Sequence, residues 1–198
     1  MAEKDITVGV LALQGDFDAH KRRLEELGAT VVLVRKAEQL DGIDALVIPG
    51  GESTTFLKLL GDKFLAKLQE FVRLKPTFGT CAGAILLSNE VQNPPQQSLA
   101  VLDAAIERNA YGRQVDSSIR EVSTSLPGGP LEAVFIRAPR FGRVGKGVEV
   151  LARDGDTPIM LRQGNVIAAT FHPELSPDTR VHKFFLDLVK QSTASARR

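Results

Sequence analysis

The chain has a single cysteine, Cys81, and its position between two glycines in Gly79-Thr80-Cys81-Ala82-Gly83 suits covalent chemistry. Flanking glycines allow a sharp turn from strand to helix, which displays a nucleophile at the apex of the turn. At the first turn of a helix, free N–H groups and the peptide dipoles stabilise a thiolate. A lone cysteine without such a setting is usually a small buried hydrophobic residue. This setting therefore indicates a nucleophile.

A nucleophilic cysteine needs a base, and the chain offers three histidines for that role: His20, His172 and His182. His20 and His182 fall inside predicted helices beside Lys21 and Lys183, which is typical of solvated surface histidines. His172 instead follows an apolar run that predicts a strand, and open α/β sheets place their sites at strand ends. We therefore expect His172 to be the base.

Two residues after His172 stands a carboxylate, in His172-Pro173-Glu174. Pro173 keeps His172 out of the helical region, so His172 and Glu174 can project to the same side. Glu174 can then accept from one imidazole nitrogen and leave the other facing Cys81. The alternative is a turn in which both side chains face water. Beside a displayed thiol, the pattern favours a catalytic triad of Cys81, His172 and Glu174.

Consecutive glycines follow another predicted strand, in the segment Pro49-Gly50-Gly51-Glu52-Ser53. Glycines let a backbone N–H approach a ligand closely, so the N–H of Gly51 could form an oxyanion hole with that of Ala82. The segment could equally be a phosphate loop or a tight turn. The sequence has no G-x-G-x-x-G and no G-K-[ST] motif, which leaves nucleotide binding with little support.

Short strand patterns alternate with helical patterns in the first half of the chain, which predicts parallel strands joined by helical crossovers. The predicted strands are 6–13, 30–34, 45–48 and 77–80. The predicted helices are 16–27, 53 to about 60 with Ser53 as its cap, 64–73 and 82–88. The first half therefore predicts an open α/β sheet flanked by helices, of the flavodoxin-like kind.

The second half contains strand-like runs separated by Gly, Pro and Asp, which predict antiparallel strands added to the sheet. They span 99–108, 119–123, 133–137, 148–152, 158–162 and 166–171. An amphipathic helix over 179–190 closes the chain. We expect one domain over 1–190 and a flexible tail over 191–198 that is rich in Ser, Ala and Arg.

Composition limits the classes of partner. The 198 residues are 43% hydrophobic, and 25 basic residues against 24 acidic ones give a net charge of +1. This balance gives no electrostatic argument for nucleic acid or an anionic membrane as a partner. One cysteine cannot form an internal disulfide, and the charged start leads to an apolar run too short to span a bilayer. We expect a cytoplasmic protein.

The three motifs around Cys81, Gly51 and His172 together resemble a class I, triad-type glutamine amidotransferase domain. More narrowly, the chain is similar to the glutaminase subunit of the two-component pyridoxal 5'-phosphate synthase, the vitamin B6 enzyme that works without deoxyxylulose phosphate. This narrower likeness spans nearly the whole chain. It rests on Leu13-Gln14-Gly15, Pro49 to Thr54, Glu107 to Gln114 with Asp116-Ser117, and Phe135-Ile136-Arg137-Ala138-Pro139.

The resemblance implies roles for individual residues. Cys81 would attack the carboxamide of L-glutamine to give a thioester and release ammonia, with His172 as acid and base and Glu174 orienting it. Gln14 matches a position near the interface with the synthase subunit, where docking completes the oxyanion site. The residues that match glutamine-binding positions are Gly51, Glu52, Ser53, Arg108, Ile136 and Arg137.

The implied partner is a (β/α)8-barrel synthase subunit that receives the ammonia, and the resemblance implies no cofactor or metal on this chain. Two alternatives stay open. Glutaminases that feed histidine or purine synthesis share such a triad, but they usually lack the Arg-Asn-x-x-Gly-Arg-Gln block that begins at Arg108. The chain could also be a cysteine hydrolase or a non-catalytic binding module of the same fold.

Overall fold

The structure is a computed structural model that describes residues 6–110 and 117–195. Four α-helices and twelve strands are named here in chain order. The helices are α1 (Phe17–Glu26), α2 (Ser53–Leu74), α3 (Ala82–Leu87) and α4 (Arg180–Ser195). The strands are β1 (Thr7–Leu11), β2 (Thr30–Val34), β3 (Ala45–Ile48), β4 (Thr77–Thr80), β5 (Ser88–Gln92), β6 (Leu102–Glu107), β7 (Ser117–Thr124), β8 (Leu131–Ile136), β9 (Arg140–Val144), β10 (Glu149–Asp154), β11 (Thr157–Gln163) and β12 (Val166–Ala169).

A nine-stranded sheet in the order β2-β1-β3-β4-β12-β11-β10-β7-β8 forms the centre of the described chain. The strands from β2 to β12 pair in parallel, and those from β12 to β8 pair antiparallel. This order is the doubly wound arrangement in which sites lie beyond the carboxyl ends of the parallel strands. The predicted α/β class, with antiparallel strands added in the second half, is confirmed.

Alternating residues of the central strands pack on opposite faces of this sheet, as the two-residue period of a strand requires. On β3, Leu46 and Ile48 pack with Phe56 of α2. Val47 packs on the other face with Leu24 of α1 and Phe185 of α4. The parallel part of the sheet is therefore held between two helical layers, which fixes the positions of its strand ends.

A second sheet of three strands, β5-β6-β9, was not predicted. The residues of β5 are Ser88-Asn89-Glu90-Val91-Gln92, and only the first and the fourth are buried, so no alternation of apolar residues marks this strand. In β9, Phe141 alone is buried. Edge strands with so few apolar side chains do not stand out from loops in a sequence.

The two helices predicted over 53 to about 60 and over 64–73 correspond to the two parts of α2. They are separated by a break at Gly61, whose φ is 64°. A positive φ of this kind suits glycine. At the C-terminus, α4 continues to Ser195, so the helix extends five residues beyond the point where we expected the tail to begin. Thr193 and Ser195 donate to the carbonyls of Val189 and Gln191, which lets polar side chains extend the helix.

Within residues 6–110 and 117–195, no helix is both long enough and apolar enough to cross a membrane.

Candidate active site

Four strand ends of the parallel part of the sheet meet at one open cavity of about 480 Å³. Gln14 follows β1, Gly51 follows β3, Cys81 follows β4 and His172 follows β12. Arg108, Ile136 and Arg137 approach from the second half of the chain. The full lining is Gln14, Asp16, Gly51, Glu52, Ser53, Cys81, Ile85, Arg108, Asn109, Ile136, Arg137, Pro139 and His172. The structure thus brings the predicted nucleophile and base into the same cavity.

Cys81 itself adopts the strained backbone of the turn, with φ 47° and ψ −103°. Its N–H donates to Ala169 O at 2.8 Å, and its carbonyl accepts from Ile85 N at 3.1 Å. A non-glycine residue in such a conformation costs on the order of 1–3 kcal/mol and persists only where its surroundings enforce it. The strand β12 and the helix α3 therefore hold Cys81 at the helix start. Cys81 lines the cavity but is only 7% exposed, so it is less accessible than the displayed thiol that we expected.

The glycines on either side of Cys81 serve close packing and not the turn itself. A Cβ on Gly83 would lie 2.1 Å from Ile48 O, and one on Gly79 would lie 2.6 Å from the carbonyl carbon of Gly83. Neither glycine has a positive φ. The missing side chains let α3 lie directly against β3 and β4, which brings the start of α3 to the strand ends.

Two hydrogen bonds hold His172, one at its backbone and one at its ring. Its backbone N–H donates to Val134 O at 2.8 Å, and its ring Nδ1 lies 2.7 Å from Glu174 Oε1. The ring packs against Gly50, where a Cβ would lie 2.4 Å from His172 Cε1. His172 and Glu174 are 4% and 2% exposed, so solvent is almost excluded from the pair.

The electrostatics of the site favour a charged imidazole. Burial lowers the pKa of His172, but hydrogen bonds to Cys81 and Glu174 and their negative charges outweigh burial and raise that pKa to about 10. Burial raises the pKa of Glu174, whereas His20 and the hydrogen bond from His172 lower it, with a net shift below the ordinary value. The arrangement favours an imidazolium at His172 that a buried, ionised carboxylate supports.

A metal is not needed to explain the acidic groups near the base. Among the described residues, Asp16, His172 and Glu174 place one ligand atom each within 4.8 Å of the others. Nδ1 of His172 is hydrogen-bonded to Glu174, and this bond explains why the two side chains lie together. Asp16 Oδ2 lies 3.9 Å from the same nitrogen and is half exposed.

Glu52 is the N-cap of α2, in place of the expected Ser53. Its carboxylate accepts from the backbone N–H groups of Thr54 and Thr55 at 3.1 and 2.8 Å, and Arg108 Nη2 donates to it at 3.1 Å. Burial raises the pKa of Glu52, but its hydrogen bonds to Thr54 and Thr55 together outweigh burial and lower it to about 2. Glu52 therefore holds Arg108 at the edge of the cavity.

Ile136 and Arg137 line the opposite side of the cavity, at the end of β8. Arg137 has a φ of 43°, an uncommon backbone conformation that turns the chain at this edge. The other expected glutamine-binding side chain, Ser53, donates to Gln96 Oε1 at 2.8 Å. Gln96 was not predicted, because its contact with Ser53 joins residues 43 positions apart.

Gln14 pins the glycine turn after β3. Its Nε2 donates to Glu52 O at 3.0 Å, and its Oε1 accepts from Glu52 N at 3.2 Å. A Cβ on Gly51, which has a φ of 139°, would lie 2.6 Å from this amide. Ala82, the other expected oxyanion donor, begins α3 and is fully buried. Of the resembling block at 107–114, residues 111–114 lie outside the described residues, as does Asp116.

The prediction that His20 and His182 are solvated surface residues was wrong. Both are fully buried, and His20 Nδ1 lies 2.9 Å from His182 Nε2. His20 Nε2 lies 3.1 Å from Thr80 Oγ1 and 3.3 Å from Glu174 Oε2. The neighbouring lysines misled the prediction. The signal that could have corrected it is helical spacing, since His20 stands four residues before the buried Leu24.

The fold is that of a class I glutamine amidotransferase. A solved structure described as a glutamine amidotransferase matches 92% of this chain and 98% of its own, with a TM-score of 0.86 and 50% identity. The structure of a putative GMP synthase component from Thermoplasma acidophilum matches 99% and 98%, with a TM-score of 0.68 and 18% identity, which shows the fold alone.

Residues 10–191 match the SNO glutamine amidotransferase family, and the chain belongs to that family. A relative from Koribacter versatilis, named pyridoxal 5'-phosphate synthase subunit PdxT, is 59% identical over 190 residues, which cover 96% of this chain and 99% of that one. A protein of the same name from Thermus thermophilus is 53% identical and covers 91% and 96%. The resemblance inferred from the motifs is confirmed.

The close packing of α3 predicts a stability effect. Replacement of Gly83 by Ala should lower the free energy of unfolding by about 1–3 kcal/mol, because the added Cβ would overlap Ile48 O. Thermal unfolding measures this. Gly42→Ala is the matched control, since a Cβ there meets nothing within 4 Å. Equal melting temperatures for the two variants would contradict the packing role.

The charge state of the base predicts a titration. In the Cys81→Ala protein, His172 loses the hydrogen bond and the negative charge of the thiolate, so its pKa should fall from about 10 towards the ordinary value. Two-dimensional NMR of the imidazole ring measures this. Cys81→Ser, which keeps a hydroxyl but no charge at neutral pH, separates the two causes. An unchanged pKa in both variants would show that Cys81 does not raise it.

Proposed function

We propose that this chain hydrolyses L-glutamine to L-glutamate and ammonia, as the glutaminase subunit of a pyridoxal 5'-phosphate synthase. The observation that carries the proposal is that Cys81 and His172 line one cavity with two arginines, while the buried Glu174 bonds to His172 from behind. Membership of a glutamine amidotransferase family and full-length likeness to proteins named as subunits of that synthase support the substrate and the setting.

The chemistry starts at the sulfur of Cys81. The thiolate attacks the carboxamide carbon of glutamine, and His172 gives its proton to the departing nitrogen, which leaves as ammonia. The acyl group stays on sulfur as a thioester. His172 then takes a proton from water, the hydroxide adds to the thioester carbon, and glutamate leaves as the thiolate is restored. Glu174 keeps His172 oriented through both steps.

The negative oxygen of each tetrahedral intermediate needs donors aimed at it. The N–H groups of Ala82 and Gly51 are the candidates, because Ala82 follows the nucleophile and Gly51 lies across the cavity. The clamp of Gln14 on Glu52 supports this role, since it determines how the peptide after Gly51 is held. A partner that contacts Gln14 would thereby reach the oxyanion site.

The cavity contains cationic side chains that could bind the α-carboxylate of glutamine. Arg108 and Arg137 present planar forks of donors that suit the α-carboxylate. Arg108 is held by Glu52, which limits its side-chain freedom before substrate arrives. Ser53, Glu52 and Ile136 complete the lining on either side. These residues would bind glutamine with its carboxamide towards Cys81.

Ammonia released into water would be protonated and lost, so such an activity is useful only beside an acceptor enzyme. The relatives' name supports a partner of the synthase type. We assign that partner the (β/α)8-barrel fold and place the complex in the cytoplasm. The fully buried start of α3 and the pinned glycine turn are consistent with a site that waits for docking at Gln14.

The proposal predicts partner-dependent turnover. Ammonia release from glutamine should be low for the isolated chain and should rise when the synthase subunit is added, because docking at Gln14 completes the oxyanion site. Coupled ammonia detection with purified subunits measures both rates. The Cys81→Ala protein, mixed with the same partner, should release none. Equal rates with and without the synthase subunit would contradict the dependence, and turnover by Cys81→Ala would contradict the mechanism.

A further inference from the structure

Behind the proposed triad, a row of buried polar groups runs from the cavity into the core. Glu174 bonds to His172 through Oε1 at 2.7 Å, and its other oxygen, Oε2, lies 3.3 Å from His20 Nε2. His20 Nδ1 in turn lies 2.9 Å from His182 Nε2. Glu174 is 2% exposed and both rear histidines are fully buried. Three elements meet here: the segment after β12, α1 and α4.

The burial of two imidazole rings, those of His20 and His182, in an apolar core calls for a physical explanation. Both rings pack against Phe78, with centroids 6.1 Å from His20 and 5.8 Å from His182, so apolar side chains would pack well at these positions. A buried polar group that lacks a partner costs on the order of 1–3 kcal/mol. Among the described residues, Glu174 Oε2 and His182 Nδ1 have no hydrogen bond of good geometry. Stability alone therefore does not account for the row.

The acceptors along the row determine where the protons lie. Glu174 is held ionised, so a lone pair on His20 Nε2 would face a negative charge at 3.3 Å, whereas an N–H at Nε2 can be shared between Glu174 Oε2 and the nearer Thr80 Oγ1, at 3.1 Å. We therefore assign the proton to His20 Nε2. His20 Nδ1 then accepts from His182 Nε2–H, and His182 Nδ1 is left with a lone pair. An unpaired lone pair is less costly to bury than an unpaired N–H. The N–H of His182 thus points to His20, and the N–H of His20 points to Thr80 Oγ1 and Glu174 Oε2.

The two rear histidines supply dipoles and no second charge. Burial lowers the pKa of His20, and burial with the nearby His20 lowers the pKa of His182 to about 3, so both rings are neutral at neutral pH. A cationic His20 would compete with His172 for the carboxylate. As a neutral donor, it leaves the full charge of Glu174 to His172.

We propose that His20 is a positioning residue for the base His172, acting through the second oxygen of Glu174, and that His182 fixes its tautomer. This inference rests on the triad proposed above. His172 lies 2.7 Å from one carboxylate oxygen, and the N–H of His20, shared with Thr80, faces the other at 3.3 Å, so rotation of the carboxylate would lengthen both contacts. Without His20, no N–H faces the buried Oε2, and the ionised form of Glu174 is destabilised.

The groups that face Glu174 determine the sign of the pH effect. His172 faces it from its own segment, His20 from α1 and, through His20, His182 from α4. Arg23 reaches only its backbone oxygen, at 3.4 Å, and Asp16 lies beside His172. Because His20 helps to keep Glu174 ionised, its loss raises the pKa at which Glu174 protonates. On acidification, a variant without His20 should therefore lose activity at a higher pH than the wild-type protein does.

The test compares variants in complex with the synthase subunit, over a pH series of glutaminase kcat and KM. His20→Leu should lower kcat by about tenfold with KM near the wild-type value, as loss of a supporting hydrogen bond does. The acid limb should move up by about one pH unit. His20→Gln, whose Nε2 can take the place of the ring donor, should restore most of both. His182→Leu should show a smaller shift in the same direction.

Phe78→Leu is the matched control, because it loosens the packing of both rings and removes no polar atom. It should leave the acid limb in place. A lower kcat for His20→Leu with an unmoved limb, or wild-type behaviour, would overturn the proposal. If His20→Leu does not fold, 15N NMR of the wild-type protein decides, and a proton on His20 Nδ1 would overturn it. No turnover by wild type in the complex would instead overturn the proposed function.

Discussion

A buried carboxylate, that of Glu174, is the charge on which the rest of the site depends. It is 2% exposed and would be costly to bury alone, so its neighbours must keep it ionised. His172 supplies a hydrogen bond at 2.7 Å and a positive charge, and Cys81 keeps that charge in place from the other side. The hydrogen bonds to Cys81 and Glu174 therefore favour a charged His172, and His172 in turn favours an ionised Glu174.

The fold brings the site residues close together and holds the strained backbone of Cys81. The parallel strands β3, β4 and β12 end at the same edge of the sheet, so residues far apart in sequence meet there. Gly83 lets α3 lie against β3, and the strained backbone of Cys81 is enforced by its bond to Ala169 O. The glycine turn after β3 is held by the amide of Gln14, whose Nε2 donates to Glu52 O and whose Oε1 accepts from Glu52 N. The start of α3 is therefore held by close packing, and the glycine turn by a single side chain.

The sequence alone predicted the parts whose chemistry is local. Cys81 and the motif of His172 and Glu174 stand at the ends of apolar runs, and the structure places them at strand ends. The role expected for the flanking glycines was wrong, because they allow close packing of α3 and the positive φ falls on Cys81 itself. It did not predict His20 or His182, because adjacent lysines suggest a solvent face and only tertiary packing shows that the rings turn inward. The second sheet was missed for a related reason, since its edge strands carry few apolar residues. Long-range polar contacts such as that of Ser53 with Gln96 leave no pattern in a sequence.

Cys81 is, in our proposal, the nucleophile of a glutamine-hydrolysing site. The most direct measurement is mass spectrometry of peptides from the complex, quenched in acid during turnover of glutamine. A glutamyl group on the peptide that contains Cys81, which disappears when glutamine is exhausted, is the predicted result. Steady ammonia release with no acyl group on Cys81 under any quench time, or an acyl group on another residue, would contradict the account.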